Sequence, residues 1–319
     1  MEGAGVDQLS PTQQRTLEVL RRRGDPITFD PDVIADLTAQ VNEALEHFAE
    51  RIPAEIRTAA GDRAVLFVNK GLLWRILGCE ANALLPDDFA WNPANAGGQI
   101  AHRAIQLGIN WRGEPNPLEL VDEALARVAD EDWSLGNWVA GLGEADRADL
   151  RGGANERVTR FMECFPPLVP QFWPTTETGL RYPLNGPIVM SGKVDLTIGR
   201  PIGSEARKVI IDFKSGQPRP QHREDLRFYA VIEMLRSGVP PRKLASYYLD
   251  AASAETEDVT EAMLRSGVRR ILDGINALIE LRFEDRTAVK RPGPTCNWCP
   301  LIDDCAEGRA HLDEIHDDY

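Results

Sequence analysis

The sequence predicts an α/β protein, and three observations lead to that class. Two β-branched runs, Gly192–Ile198 and Lys208–Lys214, flank Gly199-Arg200-Pro201-Ile202-Gly203-Ser204-Glu205, whose Gly, Pro and Ser content is that of a hairpin loop. An amphipathic helical stretch at 221–237 follows, then a strand at 244–251 containing Tyr247-Tyr248-Leu249, rich in strand formers. A long helical stretch at 257–282 comes after it, and helical patterns fill most of the chain before residue 170.

Composition sets the bounds. The chain has 319 residues, 43% of them apolar, which suits one large globular domain or a domain with an appendage. There is no run of 18 apolar residues, and Met1–Asp7 has neither a basic start nor an apolar core. The expectation is a cytoplasmic protein without a membrane partner. Five cysteines, an odd number with three near the C-terminus, fit metal ligation better than a secreted disulfide frame.

Residues 1–60 read as a helical N-terminal region, and 61–319 as the main domain. Ser10-Pro11 forms an N-cap and first-turn pair, and Arg21-Arg22-Arg23-Gly24-Asp25-Pro26 stops the helix. Asp30-Pro31 starts a second helix, with Ile34, Leu37, Val41, Leu45 and Phe48 at helical spacing. Val65–Val68 is a short apolar strand, and Leu72–Cys79 is helical with an interruption near Gly78. Gly97-Gly98 precedes a helix in which His102, Ile105 and Ile109 share a face. Residues 111–165 are helical and peripheral, and Cys164, with no cysteine neighbour, is structural. Strands are expected at about 171–182, 187–199 and 207–214.

Pairing of the last two strands brings Asp195 and Asp212 into one patch, and Lys214, two residues beyond Asp212, leaves from the same face. Two carboxylates and a lysine are what a divalent-metal hydrolase needs: oxygens for a hard cation, and a positive group to orient water or take up charge. Asp212 lies between Ile211 and Phe213, where an unpaired buried charge would be costly; a metal or Lys214 offsets that cost. The backbone carbonyl of Phe213 is a further candidate ligand. Net charge is −14, but from Arg181 to Lys243 twelve Lys and Arg oppose six Asp and Glu, leaving that stretch locally basic enough for phosphate contacts.

Gly192-x-x-Asp195, Asp212-x-Lys214 and a helix carrying Tyr229-Ala230 together resemble the RecB-type branch of the PD-(D/E)XK nuclease superfamily. The resemblance covers roughly residues 70 to 310. It implies a restriction-endonuclease-like αβββαβ core, with the helical N-terminal region before it and a cysteine cluster at the C-terminal end. It also implies a DNA nuclease, expected to be an exonuclease, acting in repair, recombination or defence, with a helicase or another repair or defence protein as a candidate partner. His102, Asp195, Asp212 and Phe213 would hold Mg²⁺ or Mn²⁺, and Lys214 would assist the water. Glu177, on the preceding strand, is either a ligand through water or a strand-edge acid. The alternatives are an RNA or structure-specific nuclease on the same fold, and a non-cutting nucleic-acid-binding subunit of a helicase complex.

The helix after Lys214 departs from the family pattern. Where a glutamine usually precedes the tyrosine by four residues, this chain has Asp225; Gln221, one turn earlier, is the candidate replacement. Tyr229 reads equally as a phenolic donor near the site or as a core residue. Arg223 and Arg227, four apart, are candidate phosphate contacts. Finally, Cys296-x2-Cys299-x5-Cys305 with Cys79 would complete the four thiolates of a [4Fe–4S] cluster, which the family pattern favours. The same three with His311 would make a zinc site instead.

Overall fold

The computed structural model describes residues 9–22, 24–86 and 89–317. The readings of Met1–Asp7 and of Arg23 in the basic triplet lie outside the described residues. Helices α1 (Pro11–Leu20), α2 (Pro31–Glu50), α3 (Ala54–Ala60), α4 (Lys70–Gly78), α5 (Glu80–Ala83) and α6 (Pro93–Ile109) come first. Then follow α7 (Pro117–Glu131), α8 (Trp133–Ala140), α9 (Glu144–Cys164), α10 (Pro220–Ser237), α11 (Glu261–Phe283) and α12 (Ala306–Asp317). The strands are β1 (Leu66–Val68), β2 (Thr175–Tyr182), β3 (Ile188–Ile198), β4 (Val209–Lys214), β5 (Lys243–Tyr248) and β6 (Ser253–Asp258). They hydrogen-bond in the order β1-β3-β4-β5-β6, with β2 on β3. The expected α/β class and its strand–strand–strand–helix–strand order are therefore present. No helix among the described residues is long and apolar enough to cross a membrane.

The chain packs as two units, neither of them continuous in sequence. The first comprises Met1–Asp30, Phe89–Leu180 and Lys193–Thr260. Here β3 and β4 are antiparallel, pairing Leu196 with Ile211 and Ile198 with Val209. The turn between them needs Gly199, because φ is +80° and a Cβ would lie 2.7 Å from the Arg207 carbonyl oxygen. β4 and β5 run parallel, which requires a crossover, and α10 is that crossover. Ile211, Phe213, Ala245 and Tyr247 face one side of the sheet and share a core with Ile100, Ala104, Val158 and Phe161 of α6 and α9. Lys208, Asp212 and Lys214 alternate to the other side, where Lys208 meets Glu233 and Lys214 meets Asp225 of α10.

The second unit comprises Pro31–Asp88, Arg181–Gly192 and Glu261–Tyr319. α2 buries the five residues of its apolar stripe, Ile34, Leu37, Val41, Leu45 and Phe48. α11 packs against α2 and α4, and Arg51 ties α2 to Glu284 at 2.7 Å. β1 pairs in parallel with the first residues of β3, Leu66 opposite Ile188.

Three expectations are corrected. The helix expected from 257 begins at Glu261, and Ser253–Asp258 is instead β6, antiparallel to β5. Its Ser-Ala-Glu-Thr-Glu-Asp sequence lacks apolar alternation because it is an edge strand, kept soluble by charge. α6 starts at Pro93 with Asn92 as its cap, so Gly97 and Gly98 lie within the helix rather than before it. Residues 171–174 are not strand: Pro170–Phe172 is a single 3₁₀ turn, and Trp173 is left-handed at φ 50°.

Candidate active site

The β3–β4 ladder ends at Leu196 and Ile211, one step short of Asp195 and Asp212. The strands part there, and the Asp195 side chain closes the gap: its Oδ2 accepts a 2.7 Å hydrogen bond from the Phe213 amide. Continued by one step, the register sets Asp195 opposite Asp212, the pairing expected from the sequence. Asp212 is only 2% exposed. Its Oδ2 lies 2.6 Å from Lys214 Nζ, so the buried charge is partnered as the desolvation argument requires. Lys214 Nζ also donates to Asp225 Oδ2 at 3.2 Å.

His102 reaches the same spot from α6. Its Nδ1 stands 3.6 Å from Asp195 Oδ1, and its ring meets the Phe213 ring edge-on at 5.5 Å. Burial pulls the imidazole pKa down, but the nearby charges of Asp195, Asp212 and Glu177 outweigh it and leave the pKa above the ordinary value. Gly98, one turn before His102, allows this approach: a Cβ would lie 2.9 Å from Ser215 Oγ, beside Lys214. Glu177 holds a left-handed backbone at φ 52°, uncommon for a residue other than glycine, and forms an ion pair with Lys193.

The structure thus brings together His102, Asp195, Asp212, Phe213 and Lys214, with Glu177 near enough to act on His102. Tyr229 is 2% exposed, inside α10's buried face, and Gln221 is half-buried at the start of that helix. Arg223 and Arg227 both fork onto Glu257 of β6, with Nη2 to Oε1 distances of 2.7 and 2.6 Å. Burial would raise the Glu257 carboxyl pKa, but these arginines bring it down to about 2. Two members of the site lay outside the sequence reading. Lys193, two before Asp195, shares its side of β3, a signal alternation contains. Asp225 stood out only as a departure from a pattern.

Among the described residues no group of three or more His, Cys, Asp or Glu side chains is placed as a formed metal site. The donors nevertheless fit a hard cation in kind and charge. Asp195, Asp212, Asp225 and Glu177 bring four carboxylates against the two ammonium groups of Lys193 and Lys214, an excess of negative charge in a site walled by Phe213.

A model of the PD-(D/E)XK nuclease superfamily matches residues 73–306, spanning every residue of this site. The chain belongs to the PD-(D/E)XK nuclease superfamily. Membership makes it a metal-dependent nuclease by family, and PD-(D/E)XK nucleases generally use divalent metals such as Mg²⁺ or Mn²⁺. Among curated proteins none matches the chain. One solved structure that matches, described as "Crystal structure of SSO0001", is 19% identical over 65% of this chain and 94% of its own, with a TM-score of 0.28.

The cysteines of this PD-(D/E)XK protein gather in the second unit. Cys79, Cys296, Cys299 and Cys305 all line one cavity of about 150 Å³, together with Asn82, Lys290 and Gly308. Three N–H groups point at sulfur: Asn82 Nδ2 to Cys299 at 3.5 Å, Gly293 N to Cys296 at 3.4 Å, and Gly308 N to Cys305 at 3.3 Å. Gly308 leaves room as well, since a Cβ there would come 3.3 Å from Cys305 Sγ. His311 is not among the residues that line the cavity, and its Nε2 is buried with no hydrogen-bond partner among the described residues. The segment before Cys296 is anchored by Glu80, which accepts from the Val289 amide at 2.7 Å, Arg286 at 2.9 Å and Arg291 at 3.3 Å. Cys164 lies apart, at the end of α9.

Proposed function

We propose that the chain is a RecB-type DNA nuclease, an exonuclease acting in DNA repair, recombination or defence, with a helicase or another protein of those processes as its partner. The observation that supports this best is the convergence of His102, Asp195, Asp212 and Lys214 where β3 and β4 part, in a chain of a nuclease superfamily. In this reading His102, Asp195, Asp212 and the Phe213 carbonyl hold Mg²⁺ or Mn²⁺. When bound, the cation supplies Lewis acidity toward a phosphoryl oxygen and lowers the pKa of water. Lys214 orients the attacking water or takes up charge on the phosphoryl oxygen. Asp195, braced by the Phe213 amide, keeps one oxygen fixed and leaves the other for the cation. Glu177, steadied by Lys193, faces the site as a ligand through water.

In the same reading Cys79, Cys296, Cys299 and Cys305 hold a [4Fe–4S] cluster. Their shared cavity and the N–H groups directed at sulfur support this over zinc, because His311 does not line the cavity. The thiolates carry a structural role, tying Cys79 to a segment more than two hundred residues away.

The test is cleavage of end-labelled single-stranded DNA, double-stranded DNA and RNA by anaerobically purified protein. DNA ends should be degraded with Mg²⁺ or Mn²⁺, with no cleavage under chelation or for folded Asp212→Asn. Full activity of Asp212→Asn would sink the site assignment, and cleavage of RNA alone would replace DNA as the substrate.

A further inference from the structure

We propose that Asp225 is a positioning residue for Lys214, a second carboxylate partner that keeps the ammonium in place when a cation engages Asp212. Its catalytic consequence rests on the nuclease reading above; the placement itself rests on geometry. Lys214 Nζ sits between two carboxylates, 2.6 Å from Asp212 Oδ2 and 3.2 Å from Asp225 Oδ2. The three side chains are 16%, 3% and 5% exposed, so little water competes for these contacts.

A lysine paired with Asp212 alone would be in conflict with the cation. Both are positive, and both would draw on one carboxylate. As the cation neutralised Asp212, a flexible four-carbon side chain would lose its anchor and turn to solvent. Asp225 eases that conflict by giving Lys214 a second carboxylate. It is delivered by a rigid element, because Leu226, Phe228 and Tyr229 bury α10 around it. An amide at this position would offer the Lys214 ammonium only a dipole, where the carboxylate offers a full opposite charge and makes the contact an ion pair. The departure from the family pattern at 225 is therefore a stronger hold on Lys214.

The experiment measures Mn²⁺ affinity by calorimetry on the full chain, without nucleic acid, for wild type, Asp225→Asn, Lys214→Met and the double variant. Lys214→Met should tighten Mn²⁺ binding, since a competing cation is gone. Asp225→Asn should weaken it, because Lys214 falls back on Asp212, and that weakening should vanish in the Lys214→Met background. The expected coupling is about fivefold or more, as for residues sharing one charge network. Thermal melts check folding, and Asp225→Gln stands in if Asp225→Asn melts early. Equal effects of Asp225→Asn in both backgrounds would overturn the proposal, leaving Asp225 as mere added charge.

In cleavage assays Asp225→Asn should lower kcat about tenfold or more with KM for DNA unchanged, the scale of a misplaced reacting group. Asp225→Glu should recover part of it, and equal losses for Asn and Glu would count against positioning. Coupling found in a protein that cuts no nucleic acid would defeat the nuclease reading and leave the placement of Lys214 standing. Cleavage without coupling would do the reverse.

Discussion

Replacing Glu80 tests how the cysteine-bearing segment is held. Glu80 is 3% exposed and makes two hydrogen bonds with the Val289 backbone, donating its N–H to the carbonyl at 3.2 Å and accepting the Val289 N–H on its side-chain carboxylate at 2.7 Å. Burial would raise its pKa, but the bonds from Arg286 and Val289 and the charges of both arginines hold it below the usual value. In Glu80→Ala three bonds to a charged group disappear, each nominally about 1.5–3 kcal/mol. The sum overstates the loss. Arg286 is 30% exposed and keeps Glu280 at 2.7 Å, while Arg291 is 47% exposed, so both can turn to water. The expected cost is therefore about 2–3 kcal/mol, below the ~3–5 of a fully buried broken pair. Urea unfolding measures it globally, and amide exchange at Val289 measures it locally. Exchange there should quicken about 30- to 160-fold, at 1.36 kcal/mol per decade. Glu80→Gln, which keeps an acceptor, should fall between. Unchanged protection at Val289, with stability within ~0.5 kcal/mol of wild type, would refute the anchoring role.

Three further outcomes are expected. Lys214→Ala should cut turnover by ~10²-fold or more while DNA affinity changes little; weak binding with normal turnover at saturation would make it a phosphate clamp instead. Because Arg223 and Arg227 hold the Glu257 pKa at about 2, their removal should cost stability that is fully present above the ordinary glutamate value of 4.5 and disappears as pH falls toward 2. Urea unfolding at pH 7 and at pH 2.5 checks the sign, and a gap between wild type and the Arg223→Ala/Arg227→Ala protein that does not shrink in acid would disprove it. Cys79→Ser should bleach a brown anaerobic preparation and destabilise it, whereas His311→Ala should leave colour and stability nearly unchanged. A colourless protein with about one zinc per chain, indifferent to Cys79→Ser but unfolded by His311→Ala, would end the cluster reading.

What the sequence determined by itself was local and periodic. The Ser10-Pro11 and Asp30-Pro31 starts, the α2 stripe and the β3 and β4 runs are visible because caps and alternation are written in adjacent residues. The Asp195, Asp212 and Lys214 patch was legible too, since a hairpin register and a two-residue repeat are enough to align it. β6 was not legible. An edge strand is defined by its neighbour β5, and its Glu255 and Glu257 carry no apolar rhythm. The start of α6 was misread because glycines count against a helix locally, whereas Gly97 and Gly98 sit where Arg157 and Ser215 press close. Tertiary structure alone decided that Arg223 and Arg227 are spent on Glu257, more than twenty residues away, and that Asp225 closes on Lys214. The reason is the same in each case: an ion pair across elements depends on a distance in space, and no spacing along one chain segment encodes it.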